Sequence, residues 1–165
     1  MSLQKAMVSS KSNEWATPQE LYDALDNEFH FTLDPCSTHE NAKCLKHYTK
    51  EQDGLSYSWA GETVFMNPPY GGHTKAWIEK AYHESLRGAY VVCLIVSSTD
   101  RSYWHDYIFP FASQIRWCRG RLKFGVSDST APFASAIIIF DFNKTYEQRQ
   151  VFYPESKTMN MLYLR

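Results

Sequence analysis

The sequence predicts an α/β layer fold, a mostly parallel sheet flanked by helices. Three observations carry that expectation. Short apolar strands alternate with amphipathic helices along the chain, the pattern of βαβ units. The run Ala89-Tyr90-Val91-Val92-Cys93-Leu94-Ile95-Val96 is unbroken in its apolarity, as expected of a strand buried on both faces. Two further strands end in Asp34 and Asn67, and open α/β sheets bind ligands outside the carboxyl ends of their strands.

Residues 1–12 are polar, small and aperiodic and read as a flexible leader, followed by a single domain over residues 13–165. Thr17-Pro18-Gln19-Glu20 carries the marks of a helix start, with Thr17 as N-cap, Pro18 at the first helical position and Glu20 closing a capping box. Leu21, Leu25 and Phe29 then recur every fourth residue, which gives one apolar helical face. Phe31-Thr32-Leu33-Asp34 is a short strand closed by Pro35, and residues 36–58 are polar and irregular. Thr63–Met66 is a second strand, running straight into Asn67-Pro68-Pro69-Tyr70-Gly71-Gly72. Trp77, Ile78, Ala81, Tyr82 and Ser85 mark the next helix, with Gly88 as its stop. Beyond the 89–96 strand, Trp104, Tyr107 and Ile108 suggest a helix ended by Pro110. Gln114–Cys118 and Ser135–Phe140 are the last strong strands, and residues 161–164 suit an edge strand.

A chain of 165 residues suits one domain with a full core. No apolar run approaches the ~20 residues that span a bilayer. The N-terminus lacks a charged-then-apolar signal pattern, so a cytoplasmic location without membrane contact is expected. The formal net charge of −1 argues against binding nucleic acid over the whole surface, although Arg116, Arg119, Arg121 and Lys123 form a local basic cluster. Cys36, His39, Cys44 and His47 have ligand types suited to zinc, but their spacing matches no common zinc pattern, so no metal site is assigned.

The segment with chemical content is Asn67-Pro68-Pro69-Tyr70, between a strand and a helix. The paired prolines remove two backbone donors and restrict the local backbone. Asn67 Oδ1 and the Pro68 carbonyl can then stand as fixed neighbouring acceptors. Two such acceptors suit an amino group with two hydrogens. On the amino nitrogen of adenine they would favour a pyramidal geometry and absorb developing positive charge, so that catalysis is mainly positioning and electrostatic. Tyr70 would stack on a base turned out of the duplex, a contact worth ~1–3 kcal/mol.

Trp15-Ala16-Thr17-Pro18, Leu33-Asp34-Pro35-Cys36, Asp53-Gly54-Leu55 with Trp59, and Asn67-Pro68-Pro69-Tyr70 occur in that order. Gly120-Arg121-Leu122-Lys123-Phe124 and Ala131-Pro132-Phe133-Ala134-Ser135 follow. Together they resemble the phage-type DNA N-6-adenine-methyltransferase family over about residues 14 to 140. The resemblance implies a reduced, Rossmann-like methyltransferase fold with S-adenosylmethionine as cofactor. It implies double-stranded DNA as partner, no obligate protein partner, and a phage or prophage origin in a bacterial host. Carried over, Asn67, Pro68, Pro69 and Tyr70 are the catalytic residues. Trp15, Thr17 and Pro18 lie beside the methionine part of the cofactor. Asp34, Pro35 and Cys36 replace the glycine-rich cofactor loop of larger relatives, and Asp53 and Leu55 border its adenine. No Gly-x-Gly follows Asp34, and Glu40 is the candidate acid for the ribose hydroxyls.

For DNA contact the candidates are His73, Lys75, Arg101, Arg119, Arg121 and Lys123. Phe124 or Phe133 could cover the second face of the flipped base. Two alternatives stay open: the same fold acting on a protein glutamine or an RNA base, and a non-catalytic DNA-binding shell.

Overall fold

The computed structural model describes residues 15–125 and 130–143, with the strand at 161–164 as backbone. The leader expected over residues 1–12 lies outside the described residues.

Helix α1 (Gln19–Phe29) turns Leu21, Tyr22 and Leu25 inward. Its start departs from the expected capping box. Pro18 holds the N-cap position without any side-chain cap, and the Tyr22 N–H donates to Pro18 O at 3.1 Å. Thr17 stands one residue too early, and its hydroxyl is engaged with Asn67 instead.

One sheet runs through the described residues in the order β2-β1-β3-β4-β6-β5-β7. Its strands are β1 (Leu33–Asp34), β2 (Lys46–His47), β3 (Thr63–Met66), β4 (Tyr90–Val96), β5 (Gln114–Cys118), β6 (Ser135–Asp141) and β7 (Met161–Leu164). β1 pairs in parallel with β2 and β3, and β3 with β4. β6 is antiparallel to both β4 and β5, so β5 shares the direction of the first four strands. β7 lies at the edge, antiparallel to β5. Only β6 and β7 oppose the common direction, and the mostly parallel reading holds in that sense. β2 was not anticipated: Lys46 is exposed and His47 half-buried, so it has no apolar signature.

β4 shows why its sequence is apolar throughout. Val91, Cys93 and Ile95 join a cluster with Ile78 and Ala81 of helix α2 (Thr74–Ser85). Val92, Leu94 and Val96 join the opposite cluster with Leu21 and Leu25 of α1. The period-two alternation of a strand thus feeds two cores, one under each helix. Truncating a buried leucine such as Leu25 to alanine costs about 2–5 kcal/mol in such a setting.

The helix expected near Trp104 is a π-helical turn (Trp104–Ile108) leading into one short α-helical turn, α3 (Phe109–Phe111). The helical turns run on without a break from residue 102 and stop at Phe111, one residue after Pro110, with Ala112 extended. Among the described residues no helix is long and apolar enough to cross a membrane.

Candidate active site

Parallel pairing of β1 with β3 brings Asp34 and Asn67 to the same edge of the sheet. There they border a cavity of about 570 Å³, within the range of small-molecule sites. Of the residues expected to hold a cofactor, Trp15, Thr17, Asp34, Pro35, Cys36, Asp53 and Leu55 line it, and Pro18 does not. Asn67, Pro68 and Pro69 form part of the same wall. Residues expected to act on the two reactants therefore share one cavity.

Asn67 is the most informative of them. Its Nδ2 donates to the Trp15 carbonyl at 2.6 Å and to Thr17 Oγ1 at 3.0 Å. A backbone carbonyl can only accept, so the amide must present its nitrogen to that side. Oδ1 is then directed away from it, shielded from solvent and without a partner among the described residues. Such an orphaned acceptor is costly unless a ligand meets it. Thr74 Oγ1 donates to the Pro69 carbonyl at 3.2 Å and ties the proline turn to α2. Gly71 turns the chain at φ 117°, a backbone region that favours glycine.

The opposite wall is held from behind. Asp34 is buried and accepts from the Lys43 N–H at 3.0 Å and the Cys36 N–H at 3.4 Å. Burial pushes its carboxyl up, against those N–H groups. Burial also raises the Cys36 thiol well above its usual range. Asp53 adopts a left-handed conformation, and its carboxylate accepts from the Leu55 N–H at 3.3 Å and the Ser56 hydroxyl at 2.6 Å. Gly54 is pressed against the other loop: a Cβ there would stand 1.9 Å from the Pro35 carbonyl oxygen. The Gly54 carbonyl accepts from Trp59 Nε1 at 3.0 Å, and the Trp59 N–H donates to Glu84 at 2.7 Å. Glu84 also pairs with Lys80 at 2.9 Å and Arg87 at 3.2 Å. Its burial opposes ionisation, but Lys80, the Trp59 N–H and Arg87 together hold the carboxyl below the usual range. No sequence pattern singles out Glu84, an acid on a helix among many.

Tyr70 is buried, and its hydroxyl has no partner among the described residues. Its ring meets Phe133 edge-on at 5.4 Å and Phe124 at 6.2 Å, and Trp15 packs edge-on against the same two rings. Both phenylalanines are buried in this cluster. Tyr70 therefore lies outside the cavity wall, in contact with the two aromatics expected to accompany it.

Arg119, Arg121 and Lys123 are exposed, while Leu122 is half-buried and Phe124 is buried. Arg116 departs from the expected cluster. It is 4% exposed, accepted by Glu28 in a two-point ion pair, and stacked 5.0 Å from the Phe29 ring. β-strand alternation takes it inward, where it fastens β5 to α1. His73 reaches the cavity. Lys75 is exposed and paired with Asp106 at 3.2 Å, and Arg101 is exposed in the loop after β4.

Glu40 is exposed and does not line the cavity. Thr38, Asn41, Lys43, Thr49 and Lys50 do, all from the stretch without a readable pattern. Trp77, read from the sequence as a core position only, also contributes to the wall. Of the four residues weighed for zinc, Cys44 contacts the Tyr22 hydroxyl at 3.6 Å, and His39 and His47 bond each other at 2.9 Å. Among the described residues no group of three or more such side chains could hold a metal.

An α/β sheet with a cavity at the ends of β1 and β3, walled by an Asn-Pro-Pro turn, has the layout of a small Rossmann-like methyltransferase fold. More particularly, the chain belongs to the DNA N-6-adenine-methyltransferase (Dam) family, whose sequence model matches residues 4–159. It is 28% identical over 108 residues to the DNA N-6-adenine-methyltransferase of Haemophilus phage HP1 (strain HP1c1), covering 64% of this chain and 62% of that protein. It is 32% identical over 65 residues to a protein of Escherichia coli (strain K12) that bears the name "Putative methyltransferase YfdM", covering 35% of this chain and 71% of that protein. The match to the phage protein thus spans less than two thirds of its length.

Proposed function

We propose that the protein, as a single domain over residues 13–165, methylates the exocyclic amine of a flipped adenine in double-stranded DNA, with S-adenosylmethionine as donor. The observation that carries this reading is Asn67 Oδ1, a buried acceptor on a residue of the cavity wall that has no partner among the described residues.

The residues present fit the cofactor. The cavity has the volume for it, with apolar surface from Leu55 and Trp77 and polar surface from Asp34, Asp53 and Thr17. Trp15, Thr17, Asp34, Pro35, Cys36, Asp53 and Leu55 would hold it, and when bound it supplies a methyl group already activated by a positive sulfur. Asn67 Oδ1 accepts one N–H of the target amine and the Pro68 carbonyl accepts the other. Nitrogen lone-pair density is thereby drawn out of ring conjugation, and the positive charge that grows on nitrogen meets two fixed dipoles in a site shielded from water. Tyr70 and its two phenylalanine neighbours supply an aromatic lining for the base. One of these rings must shift to admit it, because they are packed edge-to-face against each other. Exposed Arg119, Arg121 and Lys123 contact the phosphate backbone, as do His73, Lys75 and Arg101.

The test is transfer of tritiated methyl from S-adenosylmethionine to unmethylated double-stranded DNA, with the product digested to nucleosides. Label in N6-methyladenosine is the expected result. Saturable cofactor binding without label in DNA would overturn the substrate and direct the search to protein or RNA acceptors. Absence of cofactor binding would overturn the enzymatic reading itself.

A further inference from the structure

Asn67 poses a problem that the chemistry above leaves open. A side-chain amide can rotate half a turn about its last torsion with almost no change of shape, exchanging oxygen for nitrogen. In one orientation Asn67 offers an acceptor to an incoming amine; in the other it offers a second donor, which an amine cannot use. Something in the protein must select between them.

We infer that Thr17 is a positioning residue for Asn67: its hydroxyl, with the Trp15 carbonyl, fixes the amide so that Oδ1 faces the reacting group. The inference rests on the reading of Asn67 given above. Both hydrogens of Nδ2 are engaged, one by Trp15 O at 2.6 Å and one by Thr17 Oγ1 at 3.0 Å. The carbonyl sets the direction, because a flipped amide would bring two acceptor oxygens together at that short distance. Thr17 sets the plane, because a second acceptor on the other N–H stops the amide from swinging about the first bond. Thr17 is 6% exposed, so water does not compete for its oxygen. The segment is anchored on its far side as well, where the Gly125 N–H donates to the Ala16 carbonyl at 2.8 Å. Thr17 acts neither as a helix cap nor only as part of the cavity wall.

The test uses the ¹⁵N-labelled ligand-free protein and the variants T17V and T17S. The Asn67 side-chain NH₂ signals are assigned by their loss in N67A, and their exchange with solvent is measured. Slow exchange is expected in the unmutated protein, faster exchange in T17V, and recovery in T17S. In turnover, T17V should lose about tenfold in kcat, the equivalent of one hydrogen bond. That loss in kcat should exceed any loss of cofactor affinity that comes from Thr17 in the cavity wall, the KM for DNA should stay near its original value, and T17S should restore kcat. Unmutated protein whose Asn67 amide exchanges as a free amide would overturn the inference, and that measurement needs no folded variant. T17V with unchanged amide exchange, and with a fall in cofactor affinity that accounts for the whole loss of turnover, would overturn it too, leaving Thr17 to the cofactor alone. If the unmutated protein labels no DNA, the preceding proposal fails by itself, while the amide exchange still decides the role of Thr17.

Discussion

On the β1 side of the cavity, Asp34 and Asp53 have their carboxylates bonded within their own loops. On the β3 side, Asn67 keeps one acceptor without a partner among the described residues. The first wall is a surface whose polar groups serve mainly to hold its shape. The second carries a polar atom fixed in place and left for something else. Ligand binding by shape and catalysis by an aimed dipole are thus separable here, and substitutions on the two walls should fail in different ways.

The sharpest separation comes from Asn67→Ala. It removes the aimed acceptor without touching the β1 wall, so methyl transfer should fall roughly 10³-fold, with cofactor affinity changed by no more than about twofold. Single-turnover kinetics and a cofactor titration check both halves, and retained transfer would falsify the assignment. Gly54→Ala should do the reverse. Its Cβ would meet the Pro35 carbonyl oxygen at 1.9 Å, and neither strand of backbone can yield cheaply. Stability should drop by about 3 kcal/mol and cofactor affinity by more than tenfold, as read by urea unfolding and calorimetric titration. A Gly54→Ala protein that binds cofactor normally would show that the two loops are not held apart by that contact.

Glu84 extends the comparison to the scaffold behind the β1 wall. Glu84→Gln keeps an oxygen for the Trp59 N–H but loses the charge that Lys80 and Arg87 face, at a cost of about 1–3 kcal/mol at neutral pH. Its carboxyl is lower in the folded state than the ordinary 4.5. The stabilisation is therefore complete above about pH 4.5 and is lost as pH falls through the lower folded-state value. Urea unfolding from pH 7 downwards should show a shallower acid limb for Glu84→Gln than for the unmutated protein. Superimposable slopes would mean that other carboxylates set that limb.

How much of this was legible in the sequence follows from the same physics. β3, β4, β5 and β6 declared themselves because apolar runs bounded by turn residues have few alternatives. Asn67 declared itself through the paired prolines. β2 did not, since two residues with an exposed lysine leave no periodicity to detect. The start of α1 misled because Thr17 has the right chemistry for a cap, and only the fold shows its hydroxyl taken by a residue fifty positions away. Tyr70 was legible in part: the motif announces an aromatic, while its burial against Phe124 and Phe133 depends on a loop distant in sequence. Glu84 was invisible because its partner Trp59 lies 25 residues upstream.

The smallest expected effects separate two arginines of one apparent cluster. Arg116 and Arg121 stand five residues apart, yet one is buried against Glu28 and the other exposed. Arg116→Ala leaves Glu28 without its partner and empties space beside Phe29, so stability should fall by about 2 kcal/mol, measured by urea unfolding. The salt dependence of DNA affinity should not change. Arg121→Ala should do the opposite, leaving the unfolding midpoint in place and flattening the slope of log K against log salt by about 0.9, one phosphate contact. An Arg121→Ala slope equal to that of the unmutated protein would move the DNA path away from the segment after β5. A flattened slope in Arg116→Ala would mean that the Arg116–Glu28 ion pair shapes the basic surface after all. Because salt titration counts phosphate contacts and urea counts folding free energy, the two variants can be told apart even if both bind DNA only a few-fold more weakly.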